Sequence, residues 1–311
     1  MLPFKLVYHA GYDLNLGEHV FPSQKYRLIR KQLLDEGFAG PEDFVEPKPA
    51  SDEEILRVHE PGWVDRLKTG TLRVDELLKL EIPYSKQMVE AFWLATGGTI
   101  LAARNALRDR IGFNIGGGFH HAFAGHGEGF CAINDVAVAI RALQHEALIE
   151  RALVVDCDVH HGNGTAAIFA GDRSVLTLSL HQFNNYPSEK PPSTIDVHLR
   201  DGTSDDEYLD RLRGALGVAM SFAPQLILYL AGADPYCEDQ LGGLALTLDG
   251  LKQRDRMVFE AALAQKIPVA VVLAGGYARR TEDTVSIHCN TVKIGNEILK
   301  TAPRRPQDPA R

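Results

Sequence analysis

Short apolar segments alternate with longer amphipathic segments along most of the chain. The short segments are almost continuously apolar and too short to form a helix, as is typical of strands that are buried on both faces of a parallel sheet. They predict strands at 5–8, 112–115, 152–156, 175–180, 226–231 and 268–274.

The amphipathic segments between the strands predict helices at 86–108, 135–145, 205–222, 248–265 and 282–299. One further helix is expected to follow Ser23 as its N-cap and to end before Gly37. Ser51 and Glu54 fit a capping box at the start of another. Strands that alternate with helices indicate an α/β fold, an open and mostly parallel sheet with helices on both faces. Residues 1–311 are expected to form one domain with a loop at 186–192 and a frayed tail at 301–311.

Composition narrows the class of protein. The chain has 311 residues, 45% of them hydrophobic and 24% charged, which excludes a disordered, collagen-like or coiled-coil chain. The formal net charge of -8 repels phosphate, so neither direct nucleic-acid binding nor an anionic membrane is expected. No apolar run is long enough for a membrane span and no leader pattern opens the chain, which predicts a cytoplasmic protein. Four cysteines without a CxxC spacing predict free thiols rather than disulfides or a thiolate zinc site.

A predicted strand runs directly into three metal-ligand side chains, Asp156, Asp158 and His160. Alternation along a strand would place these three on one face, at the carboxyl end of a parallel strand, where ligands bind in such sheets. Asp234 ends another apolar strand and could complete a set with Asp158 and His160. Two carboxylates and one imidazole would leave coordination positions open for water and substrate. The alternative is that these groups only cap turns and pair with one another.

Two glycine-rich segments also follow predicted strands. Three glycines at 116–118 let the backbone approach a ligand closely and precede His120 and His121, which suit general acid and base work. Asp156 and Asn163 are available to orient the two imidazoles. A flexible turn or a phosphate cradle are the alternatives, although no GK[ST] ending or GxGxxG register supports the latter. Tyr277 follows a glycine pair and could donate to an oxyanion, or could simply pack in its loop.

Four motifs in this order carry a family resemblance. GGGFHHAFAGHGEGFCAINDVA, DCDVHHGNGT, AGADP and AGGY resemble the histone deacetylase family, with its bacterial amidohydrolase relatives, in the arginase and deacetylase superfamily. The similarity extends over 5–299. The segments TGGTILAARNAL, DDEYLDRL and GGYARRT are more narrowly similar to the class IV branch.

The resemblance implies the arginase/deacetylase fold and a metal-dependent amidohydrolase that removes an acyl group from an acylated lysine or amine. Zinc is the implied metal, with Fe(II) or Mn(II) left open by the ligand chemistry. By matching position, the metal ligands would be Asp158, His160 and Asp234. The implied catalytic residues are His121 as general base and acid, His120 as its electrostatic support, Asp156 as the group that orients His120, Asn163 behind His121, and Tyr277 as the phenol that polarises the carbonyl.

Further residues are matched to the substrate tunnel and to a structural potassium ion. The tunnel would be formed by Gly129, Phe130, Tyr186, Leu241 and Gly275, and the potassium site by Asp156, Asp158, His160, Ser179 and Leu180. The chain departs from class I members at Asn163, where they carry an aspartate, so a lower pKa is expected for His121. The loop at 184–193 also lacks their glycine-rich run.

Several alternatives stay open at this level. A two-manganese ureohydrolase shares the architecture, and a non-catalytic acyl-lysine or ligand-binding module could use the same scaffold. The substrate is left open among an acylated lysine peptide, a polyamine and a small acylated amine, and the oligomeric state is undetermined. Seven further histidines are expected in loops or at the surface, namely His9, His19, His59, His126, His145, His198 and His288.

Overall fold

A computed structural model of the protein describes residues 1–302, so most of the tail expected at 301–311 lies outside the described residues. One eight-stranded sheet runs through it, and all seven strand pairs are parallel. The strands are β1 Leu6–Val7, β2 Phe44–Val45, β3 Ile111–Asn114, β4 Ala152–Asp156, β5 Val175–Gln182, β6 Ile195–Leu199, β7 Leu226–Leu230 and β8 Val269–Val272. Their order across the sheet is β2-β1-β3-β8-β7-β4-β5-β6.

Ten α-helices lie within residues 1–302. They are α1 Lys25–Asp35, α2 Asp52–Ile55, α3 Pro61–Thr69, α4 Val74–Leu80, α5 Lys86–Asp109, α6 Asp135–His145, α7 Asn163–Ile168, α8 Asp205–Met220, α9 Leu248–Ala264 and α10 Thr281–Thr301. Helices α5 and α6 pack together, and α5 covers β3 and β8. Helices α1, α10, α9 and α8 form a second series of neighbours, with α10 against β3 and α8 against β5 and β6. The predicted α/β fold with an open parallel sheet is confirmed.

The differences from the predicted elements concern short or polar segments. The two-residue strand β2 and the edge strand β6 were not predicted, and neither were the helices α3, α4 and α7. The strand β6 carries Asp196 and His198 between apolar residues, so it lacks the continuous apolar character of the central strands. Helix α7 opens with Asn163 and Gly164, which are poor helix formers, and tertiary contacts override this preference.

The two predicted caps had different outcomes. Ser51 Oγ accepts a hydrogen bond from Glu54 N at 3.2 Å, and the Glu54 carboxylate accepts one from Ser51 N at 2.7 Å, so the capping box is confirmed. The prediction of Ser23 as N-cap was wrong, because α1 begins at Lys25 after Gln24 and Ser23 Oγ instead donates to Asp13 Oδ1. The Ser23 hydroxyl therefore forms its hydrogen bond with Asp13 instead of with a backbone amide at the start of α1.

The structure also bears on the cysteines and on membrane-spanning helices. All four cysteines are free, and Cys131, Cys157 and Cys289 are buried. Among the helices of residues 1–302, none combines the length and the apolar character that a bilayer crossing requires.

The strand order determines where functional side chains can meet. The four central strands β3, β8, β7 and β4 are neighbours, and their carboxyl ends lie at one edge of the sheet. The segments that carry the candidate residues follow these four strands. A glycine-rich loop after β3, Tyr277 after β8, Asp234 after β7 and the Asp158 segment after β4 therefore converge.

Candidate active site

Asp158, His160 and Asp234 form a buried group at this edge, with one ligand atom of each within 4.8 Å of the others. His160 Nδ1 lies 3.0 Å from Asp158 Oδ1 and 3.4 Å from Asp234 Oδ2. Strand β4 ends at Asp156, so Asp158 and His160 belong to the loop after it. The group is assembled by this loop and by the loop after β7, and not by the alternation of one strand.

Asp156 is not part of this group. The single strand face expected for Asp156, Asp158 and His160 is not observed, because β4 ends at Asp156. Its Oδ1 accepts a hydrogen bond from Asp158 N at 3.1 Å, and its Oδ2 lies 2.7 Å from His120 Nδ1. Asp156 therefore fixes both the loop that carries Asp158 and the orientation of the His120 ring.

The three side chains fit a divalent cation by several criteria. Asp234 Oδ2 is buried and has no hydrogen-bond partner among the described residues, as expected of an atom that faces an ion. A Cβ atom at Gly275 would overlap with Asp234 Oδ2 and Asp158 Oδ2, so only glycine leaves the space beside both carboxylates free. Burial and the nearby Asp158 charge raise the pKa of Asp234 to about 7. A cation would relieve this repulsion.

His120 and His121 lie next to the carboxylate group and face one another, with their Nε2 atoms 3.1 Å apart. Burial alone would lower the pKa of His120, but the charges of Asp156 and Asp158 outweigh burial and raise the pKa to about 9. Burial, followed by the charges of His120 and His160, lowers the pKa of His121 well below its ordinary value. The two adjacent imidazoles thus have opposite proton affinities.

The amide of Asn163 connects His121 to a carboxylate that the sequence analysis did not single out. His121 Nδ1 lies 2.7 Å from Asn163 Oδ1, and Asn163 Nδ2 donates to Glu128 Oε1 at 2.7 Å. Tyr186 Oη also donates to Glu128 Oε1, at 2.9 Å, and the Tyr186 ring packs edge-on against His121 with centroids 5.0 Å apart. The negative charge that is absent at position 163 is therefore present one hydrogen bond further from His121.

The carboxylate of Glu128 is ionised in this network. Burial raises its pKa, but hydrogen bonds from His126, Tyr186 and Asn163 outweigh burial and lower the pKa below its ordinary value. The sequence held a signal for this carboxylate. Glu128 lies between Gly127 and Gly129, and Gly129 and Phe130 were both expected in the tunnel.

A cavity of about 180 Å³ opens beside His121, His160 and Tyr277. Four of the expected tunnel residues line it, namely Gly129, Phe130, Tyr186 and Leu241, together with Glu81 and Asn185. The fifth expected tunnel residue, Gly275, lines a smaller cavity of about 20 Å³ that also reaches Asp158, His120 and Phe21. Gly275 N donates to Asp158 Oδ2 at 2.7 Å, so this glycine lies beside the carboxylate group.

Tyr277 is held at the cavity wall by its backbone. Tyr277 N donates to Asp239 Oδ2 at 2.6 Å, while Asp239 Oδ1 accepts from Leu241 N and Gly242 N at 2.8 and 2.9 Å. One carboxylate, which the sequence pattern did not indicate, therefore positions both Tyr277 and Leu241 at the cavity.

The residues matched to potassium come from β4, the following loop and β5. Asp156 and Ser179 are direct partners in the register of these two strands. Ser179 Oγ hydrogen-bonds with His181 Nδ1 at 3.0 Å. Ser179 and Leu180 are both buried. Gln182 N, further along β5, donates to Val159 O at 2.9 Å, so β5 runs beside the backbone between Asp158 and His160.

A buried lysine of the first helix, Lys25, contacts the loop that carries Tyr277. Lys25 Nζ donates to Ala274 O at 2.7 Å and is completely buried. Burial lowers the pKa of Lys25 to about 8, although the charges of Asp234 and Asp158 oppose this shift. Helix α1 thereby contacts the loop after β8, which carries Tyr277.

Comparison with known proteins agrees with this architecture. The chain is 42% identical over 287 residues to an uncharacterised protein of Picosynechococcus, and the aligned region covers 92% of this chain and 96% of that protein. It is 33% identical over 295 residues to histone deacetylase 2 of Arabidopsis thaliana, covering 90% of this chain and 76% of that protein. The crystal structure of the HDA15 HD domain superimposes with a TM-score of 0.78 at 25% identity, covering 95% of this chain and 94% of that one.

The sequence model of the histone deacetylase domain matches residues 19–292, which contain every residue discussed for the site. The ordered motifs and the superimposable fold agree with this match. This chain therefore belongs to the histone deacetylase family.

Proposed function

We propose that this chain is a zinc-dependent deacylase that hydrolyses the amide of an acylated lysine or another acylated amine. The observation that carries the proposal is the cavity of about 180 Å³, because His121, Tyr277 and the ligand-type residue His160 all line it. A small cavity lined by Phe130, Tyr186 and Leu241 together with a few convergent polar groups suits an acyl chain with a reactive end. Family membership supports the reaction class.

Asp158, His160 and Asp234 would hold the cation through one imidazole and two carboxylates. When bound, a divalent ion supplies a Lewis acid for the amide carbonyl and makes a water molecule more acidic. We propose zinc, and Fe(II) is the alternative that these ligands also accept. Structural potassium at Asp156, Asp158, His160, Ser179 and Leu180 is part of the same proposal.

The protein's own groups account for the proton transfers. His121 is neutral at pH 7 because its pKa is lowered, so it can accept the proton of the attacking water and then donate it to the leaving amine. His120, held in the charged form by Asp156, adds positive potential beside the developing oxyanion. The hydroxyl of Tyr277 would donate a hydrogen bond to that oxyanion. Burial raises the pKa of Tyr277 well above its ordinary value, so this proton is retained.

Asn163 and Glu128 are proposed as positioning residues for His121. The Asn163 amide receives the Nδ1 proton of His121, and Glu128 fixes the direction of the amide by accepting from its Nδ2. We further propose that the chain is one catalytic domain of the class IV type that works in the cytoplasm.

A two-manganese ureohydrolase is less well supported. The ligand group at this edge contains three residues, and no additional bridging aspartates or histidines join it within residues 1–302.

The activity is tested with a matrix of substrates. Protein loaded with Zn²⁺ or Fe²⁺ is incubated with lysine peptides, polyamines and small amines, each carrying acyl groups from acetyl to long-chain. We expect release of the free amine from at least one series, and none from a chain with Asp158→Ala and Asp234→Ala. If the metal-loaded protein cleaves no member of the matrix, the chain is a binding module and the proposal is wrong.

Glu128→Gln is expected to lower kcat about 10-fold, and Glu128→Ala about 10- to 100-fold, as is common for groups that orient a catalytic ligand. Glutamine keeps an oxygen for Asn163 but lacks the charge, whereas alanine also releases Tyr186. The measurement is the pH profile of kcat, with zinc content determined in parallel.

The exposed Glu260→Gln on α9 is the matched control and should leave the pH profile unchanged. A Glu128→Gln enzyme with the parent kcat and pH profile would show that Glu128 does not act through His121.

A further inference from the structure

A second group of potential metal ligands lies outside the active site, one strand further toward the sheet edge. It consists of His161 in the loop after β4, His181 in β5 and Asp196 in β6, with one ligand atom of each within 4.8 Å of the others. His161 and His181 are fully buried, and Asp196 is half-buried. No step of the proposed reaction uses these residues.

The parallel register of β5 and β6 places the ligands on one face. Ser179 is paired with Asp196, and His181 is paired with His198, so all four side chains point to the same side of the sheet. His161 approaches from the neighbouring loop, and its ring centroid lies 4.6 Å from that of His181 at an interplanar angle of 81°. Three separate segments therefore converge on one small volume.

The distances suit a transition-metal ion. His161 Nε2 lies 3.2 Å from Asp196 Oδ1. Two ligands of a tetrahedral ion, each at about 2.0 to 2.1 Å from it, are separated by about 3.3 Å. Oδ1 of Asp196 is buried and has no hydrogen-bond partner among the described residues, although the imidazole is near. A buried carboxylate oxygen without a hydrogen bond calls for a positive partner.

The surroundings of the His181 ring include a further histidine, His198. Nδ1 of His181 lies 3.0 Å from Ser179 Oγ, so one ring nitrogen would bind the ion in place of its present hydrogen bond. His198 Nδ1 lies 2.9 Å from His181 Nε2. Since His198 is exposed on the edge strand, it lies between the group and solvent and could serve as the route of entrance or as a fourth ligand.

We propose that His161, His181 and Asp196 bind a second divalent transition-metal ion, of the zinc or cobalt type, at a structural site separate from the active site. Two imidazole nitrogens and one carboxylate oxygen favour such an ion over the harder magnesium or calcium. The ion would join β5 and β6 to the loop after β4. Because that loop also carries His160, the second ion would brace one active-site ligand from behind.

The experiment counts zinc ions per chain after equilibrium dialysis of the full-length protein against Zn²⁺. The parent protein should bind two. A chain with His181→Gln and Asp196→Asn should bind one, a chain with Asp158→Ala and Asp234→Ala should also bind one, and the combination of all four changes should bind none. A control with His145→Gln and Asp210→Asn, both exposed, should retain two.

The zinc counts of these variants test the structural site independently of whether the chain is an active deacylase. A second ion that is lost with His181→Gln and Asp196→Asn but kept with Asp158→Ala and Asp234→Ala supports the structural site, whether or not the enzyme is active. One ion per chain in the parent protein, or a second ion that persists without His181 and Asp196, overturns it.

A stability measurement covers the case in which the double substitution impairs folding. In the Asp158→Ala and Asp234→Ala chain, Zn²⁺ should raise Tm, because binding only to the folded state stabilises it. Adding the nearly isosteric Asp196→Asn should shift the midpoint of this Zn²⁺ titration at least about 10-fold upward. An unchanged midpoint would show that Asp196 is not a ligand.

Discussion

Replacing Asp234 by asparagine is expected to weaken zinc binding at the active site by at least about 100-fold and to abolish amide hydrolysis at ordinary zinc concentrations. Loss of a group that only orients a ligand already costs 10- to 100-fold in affinity, and Asp234 is proposed to contact the ion directly. Asparagine keeps an oxygen for the hydrogen bond that Val159 N donates to Asp234 Oδ1 at 2.9 Å. The measurement is a competitive zinc titration combined with circular dichroism.

The exposed substitution Asp210→Asn provides the control for loss of one aspartate charge. Parent-like zinc affinity in Asp234→Asn, together with lost activity, would assign Asp234 a role other than metal binding. Disruption of the fold would be seen in the circular dichroism spectrum and would be separated from loss of the ion.

Tyr277→Phe is expected to lower kcat by about 10² to 10³ with unchanged zinc content. An oxyanion donor typically contributes this much to the rate, and the phenylalanine ring still fills the space beside Phe130, whose ring centroid lies 6.0 Å away. KM should change little, because the hydroxyl acts mainly in the transition state. Steady-state kinetics on the best substrate of the acyl-amine matrix provide the values.

Tyr236→Phe, in the loop after β7, is the matched control for removal of a hydroxyl. Full turnover by Tyr277→Phe would remove the oxyanion role from this residue. A loss of zinc in the same variant would instead show that the phenol supports the ligand group.

Much of the fold could be predicted because the central elements depend on local pattern. The bounds of β4 and α6 agree with the sequence prediction at both ends, since a continuous apolar run and a clear amphipathic run define them. The edge elements could not be predicted in this way. Strand β2 has only two residues, and its pairing with β1 depends on contacts that lie far apart in sequence.

The candidate site was predictable where each residue follows directly after a strand. The groups that hold those residues in place were not predictable, because their contacts are long-range. Glu128 meets Tyr186 across 58 positions, and Asp239 meets Tyr277 across 38. Local spacing gives no information on which acid will lie behind which catalytic side chain.

The sequence pattern also did not predict which histidines are buried. His288 was expected in a loop or at the surface, but it is buried within α10. His59 lies in a loop as expected, yet it is also buried, and its Nε2 accepts a hydrogen bond from Asn134 N at 3.0 Å. The partnership of His161 with His181 and Asp196 was also not apparent, because Asp196 belongs to an edge strand that the pattern does not show.

The position of β8 has a consequence for synthesis of the protein on the ribosome. This strand lies between β3 and β7 although it is the last strand within residues 1–302, and the loop after it receives the hydrogen bond from Lys25 Nζ. The middle of the sheet therefore stays open until β8 has left the exit tunnel. A nascent or prematurely terminated chain that lacks β8 would expose the apolar flanks of β3 and β7, and would depend on chaperones until β8 is added to the sheet.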